Sequence, residues 1–280
     1  MARRTRARKS RRTTRRPARS WSRLAALRRG WRRLRRLPAV LQFTTVVVAL
    51  ATMALLANLA YQVIRKPTEL FFPVSGVLHK TPAETWKAYG PIFIQHSTAT
   101  IPPEFLAALA QAEASGNPVV RTYWRLSLRQ DAPFDVYRPA SSAVGLYQIT
   151  DGNFAQARRY CIHRHRVVED GPWNDPRSCW FNWLYFRVVP SHAAEMTAAW
   201  LDRQVNAILA RHRIRRASPA QLQDIATLAH LCGPGVADAY ARRGFRLASG
   251  QRCGDHDPRA YLTKLRRLAA EFRAMRKQNG

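Results

Sequence analysis

PPEFLAALAQAEASGNPVV, residues 102–120, reads as a short helix with an acid on its apolar side. Pro102-Pro103 opens it and Asn117-Pro118 closes it. Leu106, Leu109 and Glu113 fall at i, i+3 and i+7, so they share one face. The leucines mark that face as buried. The bland explanation of Glu113 is a helix-end carboxylate that is exposed or paired with an arginine, with Arg121 and Arg125 as candidate partners. The functional explanation is a carboxyl whose pKa apolar neighbours raise, so that it stays protonated and can donate to a leaving oxygen.

Helix signals recur on both sides of this stretch. Upstream, Thr81, Pro82 and Glu84 form a capping-box opening, and Gly90-Pro91 is expected to break or kink the helix that follows. Residues 67–80 read as an extended stalk. Downstream, residues 119–138 alternate aromatic or β-branched with polar side chains around RQDAP, which predicts a β-hairpin. Thr150 or Asp151 caps another helix. A Trp- and Pro-rich connection spans 170–190, and a long amphipathic helix runs from Ser191 to about Arg213. Ser218, Pro219 and Gln221 open the next helix, which ends near Cys232-Gly233. A short helix through VADAYARR and a last one after Asp257-Pro258 complete a mainly α chain with one minor β element.

The 280 residues carry a formal net charge of +30. Residues 1–36 hold 17 Arg and Lys and no acid. The run LPAVLQFTTVVVALATMALLANLAYQVI, residues 37–64, follows without a charge. About 20 apolar residues cross a bilayer, so this run is long enough. It also exceeds the 7–15-residue core of a cleaved signal peptide. Basic residues crowd before the span, and only Arg65 and Lys66 follow at once. The positive-inside rule therefore predicts a cytoplasmic N-terminus, with everything after residue 65 on the far side. The basic head has no base-reading pattern, and topology already accounts for its charge, so no specific nucleic-acid partner is expected.

Cys161, Cys179, Cys232 and Cys253 all lie after the span. An even number in an exported region suits disulfides. Four cysteines allow three connectivities. The pairs Cys161–Cys179 and Cys232–Cys253 are favoured because each closes a short loop. A metal site around Cys161, His163 and His165 is the rival, but the tight ligand spacings of zinc sites are missing. No metal and no cofactor are expected.

Three segments stand in order: E-A-S-G-N-P at Glu113–Pro118, S-S-A-V-G-L-Y-Q-I at Ser141–Ile149, and A-H-L-C-G-P-G at Ala229–Gly235. Together they resemble the catalytic domain of the soluble-lytic-transglycosylase family of peptidoglycan-cleaving enzymes. The resemblance covers about residues 100–240. It implies a lysozyme-like helical domain, of the goose-lysozyme kind, with a small β-hairpin insertion and preceded here by one transmembrane helix.

In that resemblance Glu113 matches the catalytic acid and Asn117-Pro118 the turn after its helix. Ser141 and Ser142 match the small loop before the second motif. Gly145, Leu146 and Gln148 match Gly-Leu-x-Gln, with Tyr147 in place of Met. There the glycine lets backbone approach the sugar and the glutamine lines the cleft. Ala114 replaces a serine. His230 stands where the family has the tyrosine that bonds the acid, and Leu231 replaces an asparagine. The resemblance thus implies substrate contacts from Ser141, Ser142, Gly145, Leu146, Tyr147, Gln148 and His230, joined by Tyr137 from the hairpin. Asp131 and Asp135 are expected to be turn or surface acids. Tyr123 and Trp124, like Tyr137, can stack on sugar rings or pack on the body. Trp173, Trp180, Trp183 and Trp200 are expected to anchor core and loops, and His163 and His165 to lie at the surface.

The expected organisation is a basic cytoplasmic head (1–36), an anchor (37–64), a stalk and first helix (65–99), and a lytic transglycosylase domain with a helical extension (100–280). The implied setting is a bacterial inner membrane, with the domain in the periplasm and peptidoglycan glycan strands as partner. Such an anchor would suit an enzyme working beside an envelope-spanning complex. A silent peptidoglycan-binding scaffold and a lysozyme-type hydrolase are the alternatives. The scaffold is motivated by the replacements at Ala114, His230 and Leu231.

Overall fold

A computed structural model describes residues 38–71, 75–120, 122–126 and 137–278. The basic head, Arg121, Asp131 and Asp135 lie outside the described residues. The chain divides into two units, Met1–Leu59 and Ala60–Gly280.

Within the first unit begins α1 (Ala39–Arg65). Its stretch Ala39–Ile64 has a mean hydropathy of 2.1 and is long and apolar enough to cross a membrane. Thr44, Thr45 and Thr52 do not interrupt it. Each hydroxyl donates to the carbonyl four residues back, so the polar group is satisfied inside the helix.

The second unit is built around α3 (Pro103–Ala114). From Phe105 to Ala110 every residue of α3 is buried, because the helix is covered on several sides. It packs against α2 (Pro82–Gln95) and the last helix, α8 (Pro258–Gln278). The 22-residue α5 (Pro190–Arg211) packs on α2 and on α6 (Pro219–Cys232), which leads through Gly233 into α7 (Pro234–Arg242). The short α4 (Asp151–Ala157) rests on α5 and is capped by Thr150.

The helix starts follow the sequence closely. Both capping boxes form, Thr81 with Glu84 and Ser218 with Gln221, each followed by proline in the first turn. Glu104, buried in the first turn of α3, is held by Arg273 and Arg276 of α8, each at 3.3 Å. Asp224 of α6 accepts hydrogen bonds from Tyr240 of α7 and Arg266 of α8, which ties those three helices together.

Two expectations change here. Of the break or kink expected at Gly90-Pro91, the break is not formed: α2 continues to Gln95 with Pro91 inside it. Pro91 removes one donor, but Trp86 packs over Gly90 and against Phe272 of α8, so tertiary contact outweighs the lost bond. The stalk is not extended either. It forms short 3-10 turns at Pro67–Phe71 and Ser75–Leu78, and it docks on the unit. Glu69 pairs with Lys66 at 3.4 Å and accepts the Trp124 indole N–H at 2.7 Å.

The expected hairpin forms its base, with β1 (Trp124–Leu126) antiparallel to β2 (Tyr137–Pro139). A second hairpin, β3 (Tyr160–His163) with β4 (Arg166–Glu169), was not anticipated. Its turn residues Arg164 and His165 both have positive φ, 50° and 62°. That is the backbone of a primed two-residue turn, built without the usual Asn-Gly. Tertiary bonds hold it: Glu195 accepts the Ile162 N–H at 2.8 Å, and His165 Nδ1 meets the Ser97 carbonyl at 2.9 Å.

Candidate active site

Glu113 sits on the last turn of α3, and the chain leaves that helix through a tightly specified turn. Ser115 caps it in the left-handed conformation, and Gly116 follows with φ 66°. A Cβ on Gly116 would stand 2.2 Å from the Thr85 hydroxyl oxygen, so no larger residue fits. Thr85 donates to Gln111, and Gln111 donates to the Lys80 carbonyl. Lys80 N–H in turn bonds the Ser115 carbonyl at 2.8 Å. Asn117 is fully buried, and its side chain accepts the Val119 N–H. The end of α3 is therefore fixed to the start of α2, and the Glu113 backbone has little freedom.

The carboxylate itself is 18% exposed. Three side chains from other helices approach it. Tyr261 of α8 donates its hydroxyl to Glu113 Oε1. His230, in the last turn of α6, places Nε2 3.6 Å from the same oxygen, an electrostatic contact longer than a hydrogen bond. Lys264, one turn beyond Tyr261, donates to the Ala112 carbonyl at 3.1 Å and brings its charge near. The ion pair with Arg125 is not formed.

Burial pushes the Glu113 carboxyl up, but His230, the Tyr261 hydroxyl and the Lys264 ammonium together outweigh it. The group is held below its ordinary value. This reverses the expectation of a raised pKa: Leu106 and Leu109 do remove water, yet three donors face the carboxylate and stabilise its charge. The Tyr261 hydroxyl is pushed up strongly, by burial first and by Glu113 second, so it remains a neutral donor.

His230 lies where the sequence places it. Beside it is a cavity of ≈ 20 Å³ lined by Ile149, Asn153, Thr197 and Trp200. Ile149 closes the Gly145–Gln148 turn by bonding both ways with Val144. That turn thus shares a cavity wall with His230.

Its side chains behave differently from the expectation. Leu146 and Tyr147 have no exposed surface. They point into the core, because the Val144–Ile149 bridge turns the middle of the loop inward, and neither can touch a bound ligand in this conformation. Burial pushes the Tyr147 hydroxyl up as well. Gly145 has φ 83°, and a Cβ there would lie 2.0 Å from the Arg187 carbonyl oxygen. In this structure the close approach that demands glycine is to protein backbone. Gln148 adopts φ 47° and donates to the Gly145 carbonyl at 3.0 Å, closing its own turn.

Ser141 and Ser142 lie in a different cavity, together with Lys66 and Arg187. Their hydroxyls accept local N–H groups, from Ala143 and Asp151. Tyr137 stays in the hairpin, 5.0 Å from the Trp124 ring. Tyr123 is exposed. Trp200 is buried as expected, but Trp173 and Trp183 are 80% and 67% exposed, so neither is a core residue.

Cys161 pairs with Cys179, and Cys232 with Cys253, at Cα separations of 5.4 and 5.1 Å. The favoured connectivity is the one formed, and a disulfide-bonded Cys161 supplies no thiolate to a metal. The second bridge follows His230 by two residues and joins α6 to the loop before α8. It therefore braces the two elements that face Glu113.

Tyr261 and Lys264 were missed by sequence reasoning. They lie 148 and 151 positions beyond Glu113, in a helix that the sequence marks only by its start after Asp257-Pro258 and its basic end. No local signal identifies them; only the packing of α3 along α8 does. Compared with known families, curated proteins and solved structures, the chain matches none.

Proposed function

We propose that the chain is a membrane-anchored peptidoglycan lytic transglycosylase with a lysozyme-like domain outside the cytoplasm and Glu113 as its single acid and base. The observation that carries this reading is the setting of Glu113. It is a largely buried carboxyl backed by leucines, fixed at a helix end, and faced by titratable or hydroxyl donors from two other helices. Glu104, by contrast, is closed off by two guanidinium groups.

The proposed reaction has two proton transfers. Protonated Glu113 gives its proton to the oxygen linking N-acetylmuramic acid to N-acetylglucosamine, and the bond to the anomeric carbon breaks. The substrate's N-acetyl group stabilises the cation. The Glu113 carboxylate then takes the proton of the muramic C6 hydroxyl, whose oxygen closes on the anomeric carbon to give a 1,6-anhydro product. Tyr261 and His230 are positioning residues for the carboxylate. The basic second unit suits an anionic polymer bearing carboxylated stems.

A second reading is a silent peptidoglycan-binding subunit. It is favoured by the low-held carboxyl of Glu113 and by the burial of Leu146 and Tyr147. Product analysis decides between them. The full chain in detergent is incubated with purified sacculi, beside Glu113→Gln, and soluble fragments are weighed. Fragments lighter than reducing muropeptides by one water, absent with the variant, are expected. Reducing ends would indicate hydrolysis. Binding to sacculi without any fragment would establish the silent subunit.

A further inference from the structure

A cationic cavity of the second unit is lined by none of the residues around Glu113. A cavity of ≈ 240 Å³ is lined by Lys66, Arg125, Arg138 and Arg187, with Gln62 and the Ser141–Ser142 loop completing its wall. These cations come from four separate places: the end of α1, both strands of the first hairpin, and the segment before α5. Lys66 Nζ donates to the Ser141 carbonyl at 3.2 Å, and Arg187 donates to the Ser142 carbonyl at 2.9 Å. Two neighbouring carbonyls thus hold the two cations in place. Among the described residues Asp151 is the one acid in the lining, and it pairs with Arg187 at 2.7 Å. Glu69 pairs with Lys66 at 3.4 Å, so four cations meet two acids among the described residues.

The position of this cavity along the chain decides its ligand. Gln62 and Lys66 flank Ile64, where the apolar stretch ends. If that stretch crosses a bilayer, its end lies at the depth of the lipid headgroups. The segment that delivers Arg187 fits the same environment. Trp183 and Phe186 are 67% and 62% exposed, and Phe181 beside them is exposed too. The intervening Asn182 and Tyr185 turn inward and bond the Tyr160 carbonyl and Glu195. Exposed apolar rings thus stand in the segment that runs directly into Arg187 of the cavity wall. Trp and other aromatic rings beside basic groups favour the membrane–water interface.

We propose that this cavity binds the phosphate headgroup of an anionic phospholipid, with Trp183 and Phe186 dipping into the interface beside it. The ligand is a lipid of the anchoring membrane, and the site is separate from glycan chemistry. It rests on the membrane-crossing reading of α1 and not on the assignment of Glu113.

The test uses the full chain in a mild detergent. Native mass spectrometry reads retained lipid after supply of equimolar phosphatidylglycerol and phosphatidylethanolamine. Several-fold preferential retention of phosphatidylglycerol is expected, together with loss of that preference in Arg125→Gln/Arg138→Gln. Those positions lie on the short hairpin, and circular dichroism checks that the helices are intact. Inorganic phosphate at equal concentration should not displace the lipid, because it lacks the apolar part. Equal retention of the two lipids by the wild-type chain overturns the proposal without any variant. Displacement by phosphate alone, or undiminished preference in the folded double variant, overturns it as well. Sacculus cleavage is scored separately, so failure of either reading is distinguishable from failure of the other.

Discussion

At the scale of single residues, the departure from expectation at Glu113 bears directly on the proposed chemistry. A general acid must be protonated to act, yet His230, Tyr261 and Lys264 favour the carboxylate. Cleavage should therefore rise as pH falls towards the Glu113 pKa and decline above it. Removing His230 takes away a stabilising contact while burial remains, so the pKa of Glu113 rises. In His230→Leu the decline in rate should move to higher pH; a pH–rate profile on sacculi measures this. Glu113→Gln should lower the rate by ~10²-fold or more. The same shift has a stability side. A carboxyl held low in the folded state stabilises the fold above its ordinary pKa, and that contribution is lost as pH falls through the lowered value. Glu113→Gln should accordingly flatten the acid limb of the thermal stability curve. Tyr261→Phe removes a hydrogen bond to a charged group and should cost about 1–3 kcal/mol, read by denaturant titration.

At the scale of elements, boundaries were legible where the signal is local. Thr81, Ser218 and Thr150 cap as expected, since a side-chain oxygen and the next three residues suffice to define a helix start. Elements decided by distant partners were not legible. The Arg164–His165 turn carries no glycine, and Pro91 sits inside α2 because Phe272 packs on Trp86 from the far end of the chain. The site divides in the same way. Glu113 and His230 announce themselves through helix periodicity and motif order, whereas Tyr261 is brought in only by packing. Leu146 and Tyr147 were misplaced because a motif gives order along the chain and not the direction a loop side chain takes. Gly145→Ala tests the observed role of that loop. The new methyl meets the Arg187 carbonyl and a φ that alanine tolerates poorly, so a loss of more than ~1 kcal/mol is expected in thermal unfolding. The bridge Cys232–Cys253 closes a loop spanning 21 positions, and its removal in Cys232→Ser/Cys253→Ser should cost ~3 kcal/mol. Because it braces the elements around Glu113, sacculus cleavage should fall further than for the equivalent change at Cys161 and Cys179.

At the scale of the whole molecule, charge and redox chemistry bear on one question, the side of the membrane on which residues 60–280 reside. The 17 basic residues before the apolar run favour retention of the N-terminus in the cytoplasm. Both disulfides lie beyond that run, and disulfides persist where thiols are not kept reduced. The two arguments are physically independent, one acting during insertion and the other after folding, and if the run crosses a bilayer both favour the proposed orientation. Labelling of intact cells that express the full chain in a bacterium with an oxidising periplasm tests both at once. Quenching with a small membrane-permeant alkylating reagent, followed by denaturation, should leave all four cysteines unmodified. They should become reactive only after reductant is added. External protease applied once the outer membrane is opened should remove the second unit and spare the basic head. Reactive thiols together with protection from protease would place the unit in the cytoplasm. That result would withdraw the wall from reach of Glu113.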